Sequence, residues 1–161
     1  MLPINDDAGT PAAEPVELST NQCWEYIRQA EIGRLAVIAD AHPEIFPINF
    51  VVDHGSVVFR TAEGTKLRAA LENGTVAFEV DGYDDRLGFA WSVVLKGSAV
   101  RLESIEEVLA SEELPLFPWQ SGEKNHFMRI EPAETSGRSF RINKAARRHY
   151  LRGTKPQASV E

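Results

Sequence analysis

Residues 59–66, FRTAEGTK, gather the side chains best suited to holding an anion. Arg60 brings a fork of donors, Thr61 a hydroxyl and Lys66 a point charge. Arg60 and Thr61 fall at the end of an expected strand, and Gly64, Thr65 and Lys66 at the mouth of an expected helix. A helix start adds unpaired backbone N–H groups and the positive end of its dipole, so the segment suits a dianionic phosphate. Surface charges around an ordinary turn would produce the same string. No other conventional catalytic set competes with it. His42, His54, His126 and His149 are scattered, without HExxH or comparable metal spacing. GxGxxG and GxxxxGK[ST] loops are absent, and Ser92 has no His or acid near it in sequence. Cys23 falls on the apolar face of a helix, where a packed thiol is the simpler reading than a nucleophile.

The elements that must position these residues follow from period and punctuation. Ser19 with Gln22 three residues on reads as a capping box, Cys23, Ile27 and Ala30 follow at helical spacing, and Gly33 is placed to stop the helix. RLAVIA (34–39), FPINFVVD (46–53) and SVVFRT (56–61) read as strands, with Asp53-His54-Gly55 as a hairpin turn. EGTKLRAALENG returns to helical period through Leu67, Ala70 and Leu71 and stops at Asn73-Gly74. TVAFEVD (75–81) is a strand and GYDDRLG a polar loop. FAWSVVLKGSAVRLES (89–104) is long for one strand, and Gly97 in its middle marks a bulge or bend. Ser104 is a helix N-cap, and FMRIEP (127–132) and GRSFRI (137–142) are two late strands. The connections are too short for parallel crossovers. An antiparallel barrel with two or three short helices over its openings is expected.

Composition bounds the class. A length of 161 residues suits one domain, and 43% hydrophobic and 25% charged residues are ordinary globular values. One cysteine permits no intrachain disulfide, which fits a reducing compartment. No apolar run approaches the ~18 residues of a membrane helix, and the first residues show neither the basic nor the apolar region of a secretory signal, so a cytoplasmic, non-membrane protein is expected. A net charge of −7 argues against nucleic acid as a partner, including the oligonucleotide binding of an OB-type barrel. Residues 1–17 carry Asp6, Asp7, Glu14 and Glu17 with no basic residue and read as a disordered acidic arm. Residues 143–161 read as a basic tail, with Lys144, Arg147, Arg148, Arg152 and Lys155 against Glu161. The simplest reading of both is solvated chain; contact with an anionic ligand or with a partner subunit's acidic arm is the sharper one.

Five segments between these tails carry a resemblance. PINF (47–50), FRTAEGTK (59–66), VAFEVD (76–81), WSVVLKGSA (91–99) and FMRIEPAETSGR (127–138) occur in the order and spacing of the FMN-binding split-barrel superfamily. The chain resembles its pyridoxamine 5'-phosphate oxidase-like branch, which includes nitroimidazole-resistance-type flavoproteins. The resemblance covers residues 18–142 and implies a mainly β, six-stranded antiparallel split barrel with short helices, working as a homodimer with FMN at the interface.

It also implies roles. Arg60, Thr61 and Lys66 would bind the FMN phosphate. Pro47, Ile48, Asn49 and Phe50 would run along the isoalloxazine, and Trp91 and Ser92 would reach the cofactor held mainly by the other subunit. Phe50 and Trp91, as aromatics in strands, suit a core equally well, and the Asn49 amide wants a hydrogen-bond partner or solvent. Trp119, Lys124 and His126, in the Pro-rich loop 111–126, are the candidates for substrate contact, against a plain surface connection. The basic substrate-phosphate set of pyridoxamine-phosphate oxidase itself is not recognisable in RINKAARRHYLRG. The expected activity is therefore a flavin-dependent oxidoreductase acting on a small planar acceptor. An F420-dependent reductase of the same fold, or a non-catalytic flavin- or haem-binding module, are the alternatives.

Overall fold

The computed structural model describes residues 14–62, 67, 71, 74–104, 107, 110 and 126–143. They form β1 (Val16–Glu17), α1 (Thr20–Gln29), β2 (Ile32–Ala39), β3 (His42–Asn49), β4 (Val51–Asp53), β5 (Ser56–Thr61), β6 (Thr75–Asp84), β7 (Phe89–Arg101) and β8 (His126–Arg141). All eight strands belong to one sheet of order β3-β2-β6-β7-β8-β5-β4, with β1 added beside β8. Every pairing is antiparallel. Six strands have six or more residues, matching the six expected, while β1 and β4 are short additions.

The sheet must curl. Seven strands laid flat would put β3 and β4 roughly 29 Å apart at about 4.8 Å per strand. Phe50 alone joins them, so the two ends of the row meet at this residue. This is the split barrel in outline. Its interior holds Leu35, Phe59, Phe78, Leu95, Met128 and Ile130, all at most 2% exposed. Phe50 turns into the same core, with its ring edge-on to Phe78 at 4.9 Å between centroids.

Local chemistry explains the elements. The capping box at Ser19 is formed in both directions: the Ser19 hydroxyl accepts from the Gln22 amide, and the Gln22 side chain accepts from the Ser19 amide. Cys23 and Ile27, one turn apart, are the buried residues of α1. The helix lies close over β8 because residue 137 is glycine: a Cβ there would stand 2.7 Å from the Cys23 sulfur. Gly33 does not stop the helix, which ends at Ala30 in an extended conformation. Gly33 lies inside β2, where a side chain would strike the Phe78 ring at 2.2 Å.

Several segments differ from their sequence reading. Residues 42–45 are strand, and β2 turns into β3 through Asp40 and Ala41, both at positive φ (51° and 62°). The turn lacks the glycine that signals such hairpins, and Pro43 and Pro47 argue against a strand unless it lies at an edge, as β3 does. The second hairpin turn, His54-Gly55 with φ of 46° and 73°, falls where expected. β6 runs on to Asp84 through the expected loop, and the two expected late strands are one continuous β8. Gly97 does mark a bulge: Lys96 pairs with Glu134 and Gly97 with Pro132, leaving Ala133 as the extra residue on β8. A Cβ on Gly97 would lie 2.0 Å from the Glu131 carbonyl oxygen. Ser104 caps as expected, its hydroxyl accepting from the Glu107 amide at 3.1 Å. Among the described residues no helix is long and apolar enough to cross a membrane.

Candidate functional site

Period-2 alternation sorts the expected site residues between the two faces of the sheet. Phe59 and Met128 are paired core residues, so Arg60 and its partner Phe127 lie on the opposite, outer face. The Arg60 guanidinium sits over the Phe127 ring, 5.1 Å from its centroid. Thr61, paired with His126, faces inward again and is buried. A phosphate at the end of β5 would thus meet Arg60 from one side of the strand and Thr61 from the other. Lys66, the third expected phosphate ligand, lies outside the described residues, as do Trp119 and Lys124. Past Thr61, Leu67 and Leu71 are helical, and Leu71 is buried in the main core.

On β3, Ile48 packs towards the core while Pro47 is exposed and Asn49 half-buried. The register sets Pro47 against Arg34 and Asn49 against Ile32 on the outer face. Extending the β4–β5 register by two residues would bring Asn49 alongside Arg60. On β7, Ser92 pairs with Asp81 and Arg138 on this outer face. Trp91 faces the other way. Its ring stacks on Tyr26 of α1 at 4.5 Å and lies over Gly82, where a Cβ would meet it at 2.7 Å. Both aromatics flagged at the sequence level, Phe50 and Trp91, are therefore packed within the chain.

The two parts of the expected site sit at opposite ends of β8. Thr61 pairs with His126 at its start and Ser92 with Arg138 near its end. That separation is on the order of 40 Å of strand contour.

Three charged groups escaped the sequence reading. Arg101 at the end of β7 contacts His126 Nδ1 at 2.7 Å. An arginine can only donate, so Nδ1 accepts and the imidazole carries its proton on Nε2. Arg129 donates to the Asp53 carboxylate at 2.7 Å and to the Ser56 hydroxyl, tying the β4–β5 turn to β8. The Arg129 hydrogen bond holds the Asp53 carboxyl below its ordinary pKa against the effect of burial, with a smaller contribution from His54. Arg34 bridges Glu79 at 2.8 Å and Asp81 at 2.6 Å on the outer face, and those hydrogen bonds raise its pKa further. Each joins residues 25 to 76 positions apart, so only strand register reveals them. Cys23 is fully buried and burial raises its thiol pKa, as the packed-thiol reading requires.

Arg60 on the outer face, and Thr61, Arg101 and the His126 imidazole on the inner one, bring anion-binding donors to neighbouring ends of β5, β7 and β8. Comparison with known proteins agrees with the fold. The Mycobacterium tuberculosis protein Rv0080, uncharacterized, is 31% identical over 131 residues, covering 78% of this chain and 86% of its own. The solved FAD binding protein from Mycobacterium smegmatis is 37% identical with a TM-score of 0.69, covering 78% of this chain and 98% of that one. A conserved protein of unknown function from Corynebacterium diphtheriae, DIP1874, is 36% identical with a TM-score of 0.66, covering 78% and 98%. Residues 19–139 match the family described as pyridoxamine 5'-phosphate oxidase. On that match and on the curled antiparallel sheet, the chain belongs to the pyridoxamine 5'-phosphate oxidase-like family of split-barrel proteins.

Proposed function

We propose that the chain is a flavoprotein, a homodimeric oxidoreductase that passes electrons to a small planar acceptor in the cytoplasm. The observation that carries this reading is the donor pair at the end of β5, Arg60 and Thr61, with the GTK segment that contains Lys66 beginning three residues after Thr61. These residues bind the ribityl phosphate, and FMN is the simplest occupant. The M. smegmatis relative is named for FAD, which carries the same phosphate, so this part of the site serves either nucleotide. When bound, the flavin supplies two-electron redox chemistry, and the protein supplies binding, orientation and the electrostatics of the ring.

Of Pro47, Ile48, Asn49 and Phe50, the outward Pro47 and Asn49 line the isoalloxazine, with Asn49 as the polar contact, while Ile48 and Phe50 hold the segment to the core. Trp91 and Ser92, at the far end of β8 from the phosphate residues, serve the site of a second copy. Two chains related by a two-fold axis bring the two ends together twice. Ile38 and Ile45, on the outer face of the β2–β3 hairpin at 61% and 66% exposure, are apolar surface that such pairing would cover. Trp119, Lys124 and His126 contact the acceptor.

The visible spectrum of the purified protein, with the mass of any ligand released on denaturation, tests the proposal. A flavin spectrum is expected, and replacing Lys66 with Ala should weaken flavin binding by about 1.5–3 kcal/mol, the scale of one charged hydrogen bond. A colourless protein that takes up neither FMN nor FAD would overturn the proposal. A flavin-loaded monomer in sedimentation would remove the shared site.

A further inference from the structure

The outer face of the sheet ends in an apolar row. Tyr83 of β6, Ala90 of β7 and Phe140 of β8 are register partners across three neighbouring strands. Tyr83 and Phe140 are 64% and 42% exposed, and Leu87, in the turn that joins β6 to β7, is 57% exposed. Single exposed apolar side chains are ordinary, but three large ones at one end of a sheet ask for a cover. The patch is also held in shape. In its turn the Leu87 N–H donates to the Asp84 carboxylate at 2.8 Å and the Gly88 N–H to the Asp84 carbonyl at 2.7 Å.

The chain itself arrives at this patch. Beyond β8 the Ile142 N–H donates to the Gly88 carbonyl at 2.9 Å, which ties the chain to the turn that carries Leu87. Asn143 is the last described residue, and residues 144–161 lie outside the described residues. Their sequence is patterned where it leaves the sheet. Ile142, Ala145, Ala146, His149 and Tyr150 recur at i, i+3, i+4, i+7 and i+8, one stripe of a helix, and Gly153 is placed to stop it. Lys144, Arg147 and Arg148 fall on the opposite side, together with Leu151. From Ile142 to Tyr150 such a helix advances roughly 12 Å at 1.5 Å per residue. The row from β6 to β8 is roughly 10 Å wide at about 4.8 Å per strand, so the stripe matches it in length. With the stripe against the sheet, the basic side chains point away from Arg138 and Arg141, which are exposed at the end of β8. Phe140 and the residues after it also lie past the family match, which ends at residue 139.

We propose that residues 144–152 dock as a helix on the Tyr83–Leu87–Phe140 patch of their own chain, apolar stripe inward and basic face to solvent. The proposal does not depend on the flavin reading.

The test is hydrogen exchange of the full-length chain read by mass spectrometry, with sedimentation equilibrium alongside. Amides of residues 145–151 should exchange at least about tenfold more slowly than in a peptide of the same sequence. Leu87→Ser should bring them within about twofold of the peptide, leaving the protection of β6 and β7 and the sedimenting mass unchanged. Tyr150→Ser, made in the segment and not in the sheet, should do the same, so the answer survives if the turn variant does not fold. Peptide-like exchange in the unaltered chain would overturn the proposal, as would protection that persists in either folded variant. Protection lost together with a fall in sedimenting mass would show the patch holding a second copy, and would overturn docking within the chain.

Discussion

The first and last thirds of β8 are parts of one strand with opposite surroundings. From Phe127 to Ile130 it is flanked by β5 on one side and β7 on the other, and Phe127, Met128 and Ile130 are buried. From Gly137 to Arg141 it is flanked by β7 and, for two residues, by β1, and no residue reaches the buried class. The bulge at Ala133, opposite Lys96 and Gly97, separates them. The first third is core and pairs, through His126, with Thr61 of the proposed phosphate site. The last third offers Arg138 and Phe140 outward, the arrangement expected of a segment that packs against chain beyond the sheet.

The comparison can be broken by substitution. The largest effect belongs to the buried end. Phe59, fully buried against Met128, should cost about 3–5 kcal/mol on replacement by Ala, read from denaturant or thermal unfolding. A loss below 1 kcal/mol would mean that this end is not the core. A middle effect belongs to Asp53, whose bond to Arg129 fastens the turn to this same third of β8. Asp53→Asn should cost about 1–3 kcal/mol at neutral pH, because the half-buried Arg129 keeps its charge and loses its partner. The pair also sets an acid limit. The folded carboxyl has a pKa below the ordinary 3.8, so its contribution is complete above that value and is lost as pH falls through the folded one. Stability of the unaltered protein should therefore drop below about pH 4 more steeply than that of Asp53→Asn. Parallel curves would deny the pair any role. The smallest effect belongs to the open end: Phe140→Ala, at 42% exposure, should change the stability of one chain by less than about 1 kcal/mol.

Much of this architecture could be read from local signals. The Ser19 capping box, the His54-Gly55 turn and the Gly97 bulge each rest on residues close in sequence, and each lies where its chemistry points. Strand limits were less readable. Asp40-Ala41 makes a tight turn without glycine, and Gly82 reads as loop although it serves to admit the Trp91 ring. The candidate site was readable as residue types, in Arg60 and Thr61, but not as an arrangement. The strand reading of SVVFRT already puts Arg60 and Thr61 on opposite faces, but nothing in it says which face is the core, and nothing near Arg101 says that His126 lies beside it. Those facts belong to register, which depends on partners many tens of residues away.

β3 and β4 are neighbours in sequence and lie at opposite ends of the sheet's hydrogen-bonded row, with Phe50 the one residue between them. That arrangement governs the order of folding. The β4–β5 hairpin can form early, yet it gains a neighbour only when β8 arrives, since Val57 pairs with Ile130 and Thr61 with His126. During synthesis the chain therefore carries two unfinished sheets, β3-β2-β6-β7 and β4-β5, each with an open edge. Long-range closure of this kind is slow, and its open edges are the surfaces by which incomplete chains aggregate. The strand that completes the proposed phosphate site is thus also the one that ends this exposure.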